Sequence, residues 1–441
     1  MDYKQFVEDL KTNDKDFIKA LEFLKNLSGK KVYLFSHDDP DGITSGVLMS
    51  RLLENLDIEH EVFFPGAFVL NSNDFPDSEY DVAIIMDKGS LPQYSEFGDL
   101  GKEFLFIDHH FTPGLPKNVT VYNPNKPNPG PYKGCSASFL VHNFLTALGQ
   151  ESIFYDFFCL VGLKGDFAIE PVTKIVSDYV KSFYESVEKK FSKLLYPMKI
   201  HPTMFDVEQR EKSCFLNQFT ELIHAVSGGG FQFFYNDYDK ALKDVNQPLL
   251  SFDYLRELED NRFHFNDVTN LYDFINKSSY KEPLSKIYQY YERDWDKGID
   301  VINNALLLAS VKDTGFFLYS GNKVKLMPML GSVSIFDLKV ENKLKHGMII
   351  MASKEADVVH FSVRATGGAF HSGKLCSNMA EEWKKNRNPK TNENNISGGG
   401  HPRAAECVSK MNSIDFGPAL HSFLDLFKEL REGSDKFNTE G

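Results

Sequence analysis

Cysteine is scarce in this chain: five in 441 residues, at Cys135, Cys159, Cys214, Cys376 and Cys407, with no CxxC spacing among them. An odd and scattered set excludes a disulfide framework and a cysteine-built zinc site, and it predicts small buried hydrophobes instead. Long apolar runs are missing as well, since no stretch approaches eighteen consecutive apolar residues, so no membrane-spanning helix and no membrane partner are expected. The first thirty residues lack the basic head and apolar block of a leader peptide, which predicts a cytoplasmic protein, or a nuclear one in a eukaryote. Positive charge is in deficit, with 49 Lys and Arg against 62 Asp and Glu and a formal net charge of −13. That excludes a surface coated in positive potential for gripping a duplex along its length. Any nucleic-acid contact must then be a local groove, helped by cations that bring their own charge. Internal repeats are also absent.

What is present is enough apolar material, 42% of residues, for more than one ordinary domain. Short apolar runs at 31–36, 61–64, 82–87 and 104–108 read as buried strands separated by room for helices or loops. The pattern predicts an α/β fold whose first domain is a doubly wound, mostly parallel sheet. Ligands of such sheets bind beyond the carboxyl ends of the strands, where three of these four runs end in acidic or histidine-bearing loops. Helical periodicity follows at 136–148 and 153–163. It continues through long amphipathic stretches rich in Phe, Tyr, Lys and Glu from about 171 to 304, with breaks at Pro197, Pro202, Gly228 to Gly230, Pro248 and Pro283. Strand-like runs return at 316–319, 348–352 and 358–364, then a helix at 374–385, an exposed polar loop at 386–395 and a final amphipathic helix at 416–430. The expected division is a catalytic domain over 1–170, a mainly helical insertion or linker over 171–310, a smaller C-terminal α/β domain over 311–432 with a cleft between the lobes, and a disordered tail over 433–441.

The most informative segment is Ser36-His37-Asp38-Asp39-Pro40-Asp41-Gly42, directly after a strand and before a helix. His37, Asp39 and Asp41 alternate, so an extended loop projects them to one side, where imidazole and carboxylates share cations. Acidic residues ahead of a helix also serve as N-caps, and that reading stands beside the first. Three further elements carry similar groups: Asp87 ends the third strand, Asp108-His109-His110 ends the fourth, and Asp166 follows the apolar helix in Gly165-Asp166.

Taken together, these segments resemble the four motifs of the DHH phosphoesterase family. In the C-terminal part, Ser397-Gly398-Gly399-Gly400-His401-Pro402 resembles the glycine-rich GGGH motif of the DHH-associated domain, and Phe361-Ser362-Val363-Arg364 is similar to its arginine-bearing strand. The resemblance covers about 30–170 and 310–430. Gly42-Ile43-Thr44-Ser45-Gly46 after the first motif looks closest to RecJ-like single-strand exonucleases of the archaeal type, and the chain's end about forty residues after GGGH fits either that type or enzymes for very short oligonucleotides and cyclic dinucleotides.

The resemblance implies two divalent cations, Mn²⁺ preferred and Mg²⁺ permitted. His37, Asp39 and Asp87 would hold one; Asp41, Asp87, His109 and Asp166 the other, with Asp87 as bridge. The charges balance, because +4 from two ions meets −4 from Asp39, Asp41, Asp87 and Asp166. Asp108 would orient a neighbouring imidazole. His110, Arg364 and His401 would neutralise the phosphate, and Gly398, Gly399 and Gly400 would let backbone amides approach it. The implied activity is exonucleolytic release of mononucleotides from single-stranded DNA or RNA. The alternatives are hydrolysis of short oligonucleotides or cyclic dinucleotides, and a non-catalytic replication scaffold of the same fold. The aromatic insertion would form a channel wall for single strands or dock a replication or repair protein.

Overall fold

The computed structural model describes residues 2–425 apart from 67–69, 71–73, 77, 78, 90–93, 95, 111, 113, 127–131, 208, 209, 312, 356, 357, 367–371, 387–395, 401, 402, 411–416, 418 and 423. Two compact units divide the chain, Met1–Tyr290 and Tyr291–Gly441. Of the middle region, residues 171–290 fall in the first unit and 291–310 in the second.

The first unit opens with helices α1 (Tyr3–Asn13) and α2 (Lys15–Lys25), capped by Asp2 and Asp14. A five-stranded parallel sheet follows, in the order β2-β1-β3-β4-β5, built from β1 (Val32–Phe35), β2 (His60–Phe63), β3 (Val82–Met86), β4 (Glu103–Ile107) and β5 (Thr120–Tyr122). Every residue of β1 and β3 is buried, as central parallel strands covered on both faces must be, whereas edge strand β2 is only partly covered. One face carries an aromatic core of Tyr33, Phe35, Tyr94, Phe97, Phe104 and Phe106 around Ile85. Helix α3 (Pro40–Asn55) packs against α4 (Ala137–Ala147) and α5 (Ile153–Gly165). Its near-continuous burial explains why glycine, serine and threonine recur in it, since neighbouring helices approach closely there.

A short pair, β6 (Ile169–Glu170) and β7 (Ile175–Val176), leads into α6 (Lys181–Val187), α7 (Ser192–Leu195), α8 (Phe215–Ser227), α9 (Gln247–Asp260) and α10 (Tyr272–Asn276). Helix α8 packs on α5 and α3, and α9 on α3, so the middle region covers the helices that start at the strand ends. Helix α11 (Lys281–Ile302) runs across the boundary between the units.

The second unit is a six-stranded mixed sheet in the order β12-β13-β11-β10-β9-β8. Its strands are β8 (Leu306–Val311), β9 (Thr314–Gly321), β10 (His346–Glu355), β11 (Val358–Ala365), β12 (Ile396–Gly400) and β13 (Ala404–Lys410), with α12 (Met327–Glu341) and α13 (Ser372–Asn386) packed on it. The glycine run Gly398 to Gly400 lies on strand β12. A Cβ on Gly398 would lie 2.2 Å from the Cys376 carbonyl oxygen of α13, so close helix-on-strand packing requires glycine there. The loop expected at 386–395 lies outside the described residues except for Asn386, the last residue of α13, and of the helix expected at 416–430 residues 417, 419–422, 424 and 425 are described and are helical. Among the described residues no helix is long and apolar enough to cross a membrane.

Candidate metal centre

The chain leaves β1 at Phe35 and reaches α3 through the loop that carries the first motif. Asp39 is the N-cap of α3, its Oδ1 accepting the Gly42 N–H at 2.8 Å with Pro40 at the first helical position. Capping spends only one oxygen, and Oδ2 lies 3.1 Å from His37 Nδ1. The cap reading and the ligand geometry therefore coexist in one side chain. Gly42 is required here, because a Cβ would stand 2.3 Å from the His37 carbonyl oxygen.

Asp87 follows β3 with φ of 55°, a left-handed conformation that few non-glycine residues adopt and that short polar side chains tolerate best. Its Oδ2 is 3.5 Å from His37 Nδ1 and its Oδ1 is 3.2 Å from His109 Nε2. Asp166 ends α5, with Oδ2 at 3.2 Å from the same His109 nitrogen, and Asp41 Oδ2 stands 3.8 Å from it. Asp41 has a second duty. Its oxygens accept the Ala137 N–H at 2.5 Å and the Ser138 N–H at 2.9 Å, anchoring the start of α4.

Three groups result whose donor atoms all lie within 4.8 Å of one another: His37, Asp39 and Asp87; Asp87, His109 and His110; Asp41, His109 and Asp166. All six residues expected as ligands fall in these groups. Asp87 and His109 each belong to two of them. Whether the donor set suits cations can be judged from charge. Burial and the nearby Asp87 charge push the Asp41 carboxyl up to about 6, and burial raises Asp166 well above the carboxylate range. Burial works against charging His37, yet Asp39 and Asp87 hold it up at about 10; Asp166 and Asp87 likewise raise His109 against its burial. The cluster thus draws protons onto its imidazoles and carboxyls because fixed positive charge is short, and metal binding displaces such protons. Asp87 Oδ2 and Asp166 Oδ2 are buried and accept no hydrogen bond from the described residues. Orphaned, buried carboxylate oxygens beside two imidazoles suit Mn²⁺, Mg²⁺ or a similar divalent ion.

Asp108 stands one layer back. Its Oδ1 accepts the His110 backbone N–H at 2.7 Å and lies 2.9 Å from His110 Nδ1, and its Oδ2 accepts the Gly89 N–H at 2.6 Å. His110 holds the Asp108 carboxyl down at about 2 despite burial. Asn123 and Asn125 donate to the carbonyls of His110 and His109 at 2.9 and 2.6 Å, which fixes the loop.

The second unit holds the remaining expected residues. Arg364 is buried on β11, its Nε donating to Pro328 O at 3.0 Å, Nη1 to Val363 O at 2.8 Å and Ala405 O at 3.1 Å, and Nη2 to Glu406 Oε1 at 2.8 Å. Gly398, Gly399 and Gly400 lie on β12. His401 is outside the described residues.

Four residues around the centre carried no assignment from sequence. Asp38 is 2% exposed with Oδ1 3.6 Å from His37 Nε2. Buried Lys88 donates to Pro65 O at 3.0 Å, and burial pulls its ammonium down to about 8. His224 of α8 is buried and held down at about 4 by that burial. Gly230, just past α8, donates its N–H to Asp38 O at 3.3 Å. Adjacency to Asp39 and Asp87 was a readable signal for Asp38 and Lys88; for the pair from the middle region the only signal was three consecutive glycines.

A profile of the DHH family, N-terminal domain, matches residues 31–158, the stretch that holds the first three motifs. Residues 31–158 therefore carry the match to the N-terminal domain of the DHH family. Its fold is similar to that of an exonuclease RecJ solved with manganese, at 14% identity and a TM-score of 0.54, covering 96% of each chain. RecJ from Thermus thermophilus in complex with Mn²⁺ matches at 14% identity and TM-score 0.54, over 94% of this chain and 54% of that one, so the chain spans about half of the Thermus protein. CDC45 from Entamoeba histolytica matches at 12% identity and TM-score 0.50, over 93% and 99% of the two chains. At these identities the likeness is one of fold.

Proposed function

We propose that this protein is a two-metal phosphodiesterase of the DHH family that releases mononucleotides from single-stranded nucleic acid. The observation that carries the reading is the sharing of Asp87 and His109 among three donor groups at the carboxyl ends of parallel strands. His37, Asp39 and Asp87 would hold one cation, and Asp41, Asp87, His109 and Asp166 the other, with Mn²⁺ as the native ion. The chemistry such a pair supplies is a lowered pKa for water and counter-charge for phosphoryl oxygens.

The chain's own part is placement. Asp108 holds the His110 ring, its Oδ1 2.9 Å from Nδ1, and His110 is proposed to contact the phosphate. The Asn123 and Asn125 bonds hold both imidazoles against the strand end. Arg364, His401 and the Gly398 to Gly400 backbone are proposed to contact the phosphate from the second unit. RecJ structures solved with manganese support the metal and nuclease reading by analogy of fold.

The test is Mn²⁺-dependent turnover of end-labelled single strands beside dinucleotides, cyclic dinucleotides and pyrophosphate. Mononucleotides released from the long strand are the expected product. A cleaved dinucleotide with the long strand intact would replace the exonuclease reading with the short-oligonucleotide one. No turnover of any of them would leave a scaffold of the same fold.

A further inference from the structure

The turn after α8 has no place yet in this chemistry, although it touches the metal centre. Gly228, Gly229 and Gly230 take φ of 96°, 64° and 74°, and Gln232 takes 56°, so four residues of a five-residue stretch are left-handed. The Phe231 and Phe233 N–H groups both donate to Gly228 O at 3.2 Å and close the turn. Side chains are excluded on its inner edge, since a Cβ on Gly229 would lie 2.4 Å from His224 Nε2 and one on Gly230 would lie 2.8 Å from His37 Cε1. Two anchors hold it to the loops that leave the sheet. The Gly230 N–H donates to Asp38 O at 3.3 Å, and the Gln232 amide donates to Gly66 O, next to the Pro65 carbonyl that receives Lys88.

What this rigid turn presents is an aromatic face. Phe231 is 43% exposed, and its ring stacks on Phe233 at 5.5 Å between centroids and 28° between planes. It follows the glycine that abuts His37, one Cα step of about 3.8 Å away. A half-exposed ring on a mobile loop would be unremarkable, because scattered surface hydrophobes are normal. Here four left-handed residues and two anchors fix the Phe231 backbone one residue from the glycine that abuts His37. Every nucleobase offers a π-face to such a ring, whereas the phosphodiester itself offers none.

We infer that Phe231, backed by Phe233, is the platform on which the nucleobase adjoining the scissile phosphate stacks. This rests on the phosphodiesterase reading of the same centre. Stacking of this kind favours any base-bearing single strand over a base-free one, without reading sequence, and it excludes small phosphate compounds as preferred substrates.

Two strands of equal length test it: oligothymidylate, and the same strand with abasic sugars at the last two positions of each end. The kcat/KM ratio of the base-bearing over the abasic strand is expected to fall about tenfold in Phe231→Ala. Phe231→Leu, apolar but without a π-face, should fall alike, and Phe231→Trp should keep the wild-type ratio. A ratio unchanged in Phe231→Ala, or restored by Phe231→Leu, overturns the platform. Wild-type protein that hydrolyses neither strand removes the phosphodiesterase reading, and the platform with it.

Discussion

The two units bury charge in opposite ways. At the strand ends of the first unit, Asp39, Asp41, Asp87 and Asp166 crowd together with imidazoles as their immediate counter-charge, so Asp41 is pushed up to about 6 and Asp166 well above its ordinary range. In the second unit, Glu406 on β13 gathers His360, Ser362 and Arg364 from alternate positions of β11, the last two at 2.9 and 2.8 Å, and its carboxyl is held below the usual range despite burial. One cluster is short of cations; the other carries its own. The contrast teaches where an external ion belongs: a buried acidic group with an internal guanidinium needs none, whereas carboxylates that must otherwise take up protons do.

The largest effect should come from breaking the shortage at its centre. Asp87→Ala removes a donor from two of the three groups, and turnover should fall by more than the roughly 100-fold that loss of an outer-shell partner costs. Retention of a tenth of the wild-type rate would contradict the bridging role. Arg364→Met should leave Glu406 as a half-buried, poorly compensated charge and destabilise the second unit by about 2 kcal/mol in urea unfolding, while Arg364→Met with Glu406→Met should recover most of that loss. Mn²⁺ at a hundred times its Kd should stabilise the first unit by about 2.7 kcal/mol for each ion bound and the second not at all, as a calorimetric scan with and without chelator would show.

The smallest effect concerns pH. Because Glu406 is held below its ordinary value of 4.5, the unfolded chain takes up that proton first as pH falls. Its stabilisation is therefore complete above about pH 4.5 and is lost on acidification through the lower folded value. Glu406→Gln should flatten that part of the second unit's stability profile, and an unchanged slope would place the loss elsewhere.

Much of the first sheet was legible because buried parallel strands are continuous apolar runs: the runs at 31–36 and 82–87 became β1 (Val32–Phe35) and β3 (Val82–Met86). β5 (Thr120–Tyr122) was not read, since three residues are too short to show a period. Strand β12 at 396–400 was not read, because a run of glycines shows no strand periodicity, whereas contact with α13 is what demands glycine at 398. Asp39, Asp87 and the Asp108-His109-His110 run could be read because each sits at the end of a recognisable element. His224 and Gly230 could not, because packing of α8 against α3 and α5 brings the turn after α8 to His37, a contact between distant parts of the chain that no local pattern announces. Glu406 escaped for the same reason, since its partners lie on a neighbouring strand.

Anomalous diffraction from crystals soaked in Mn²⁺ bears most directly on the cage. Two peaks should stand in the first unit, both in contact with the Asp87 carboxylate, one beside His37 and the other beside His109. A single peak, or ions found away from Asp87, would contradict it.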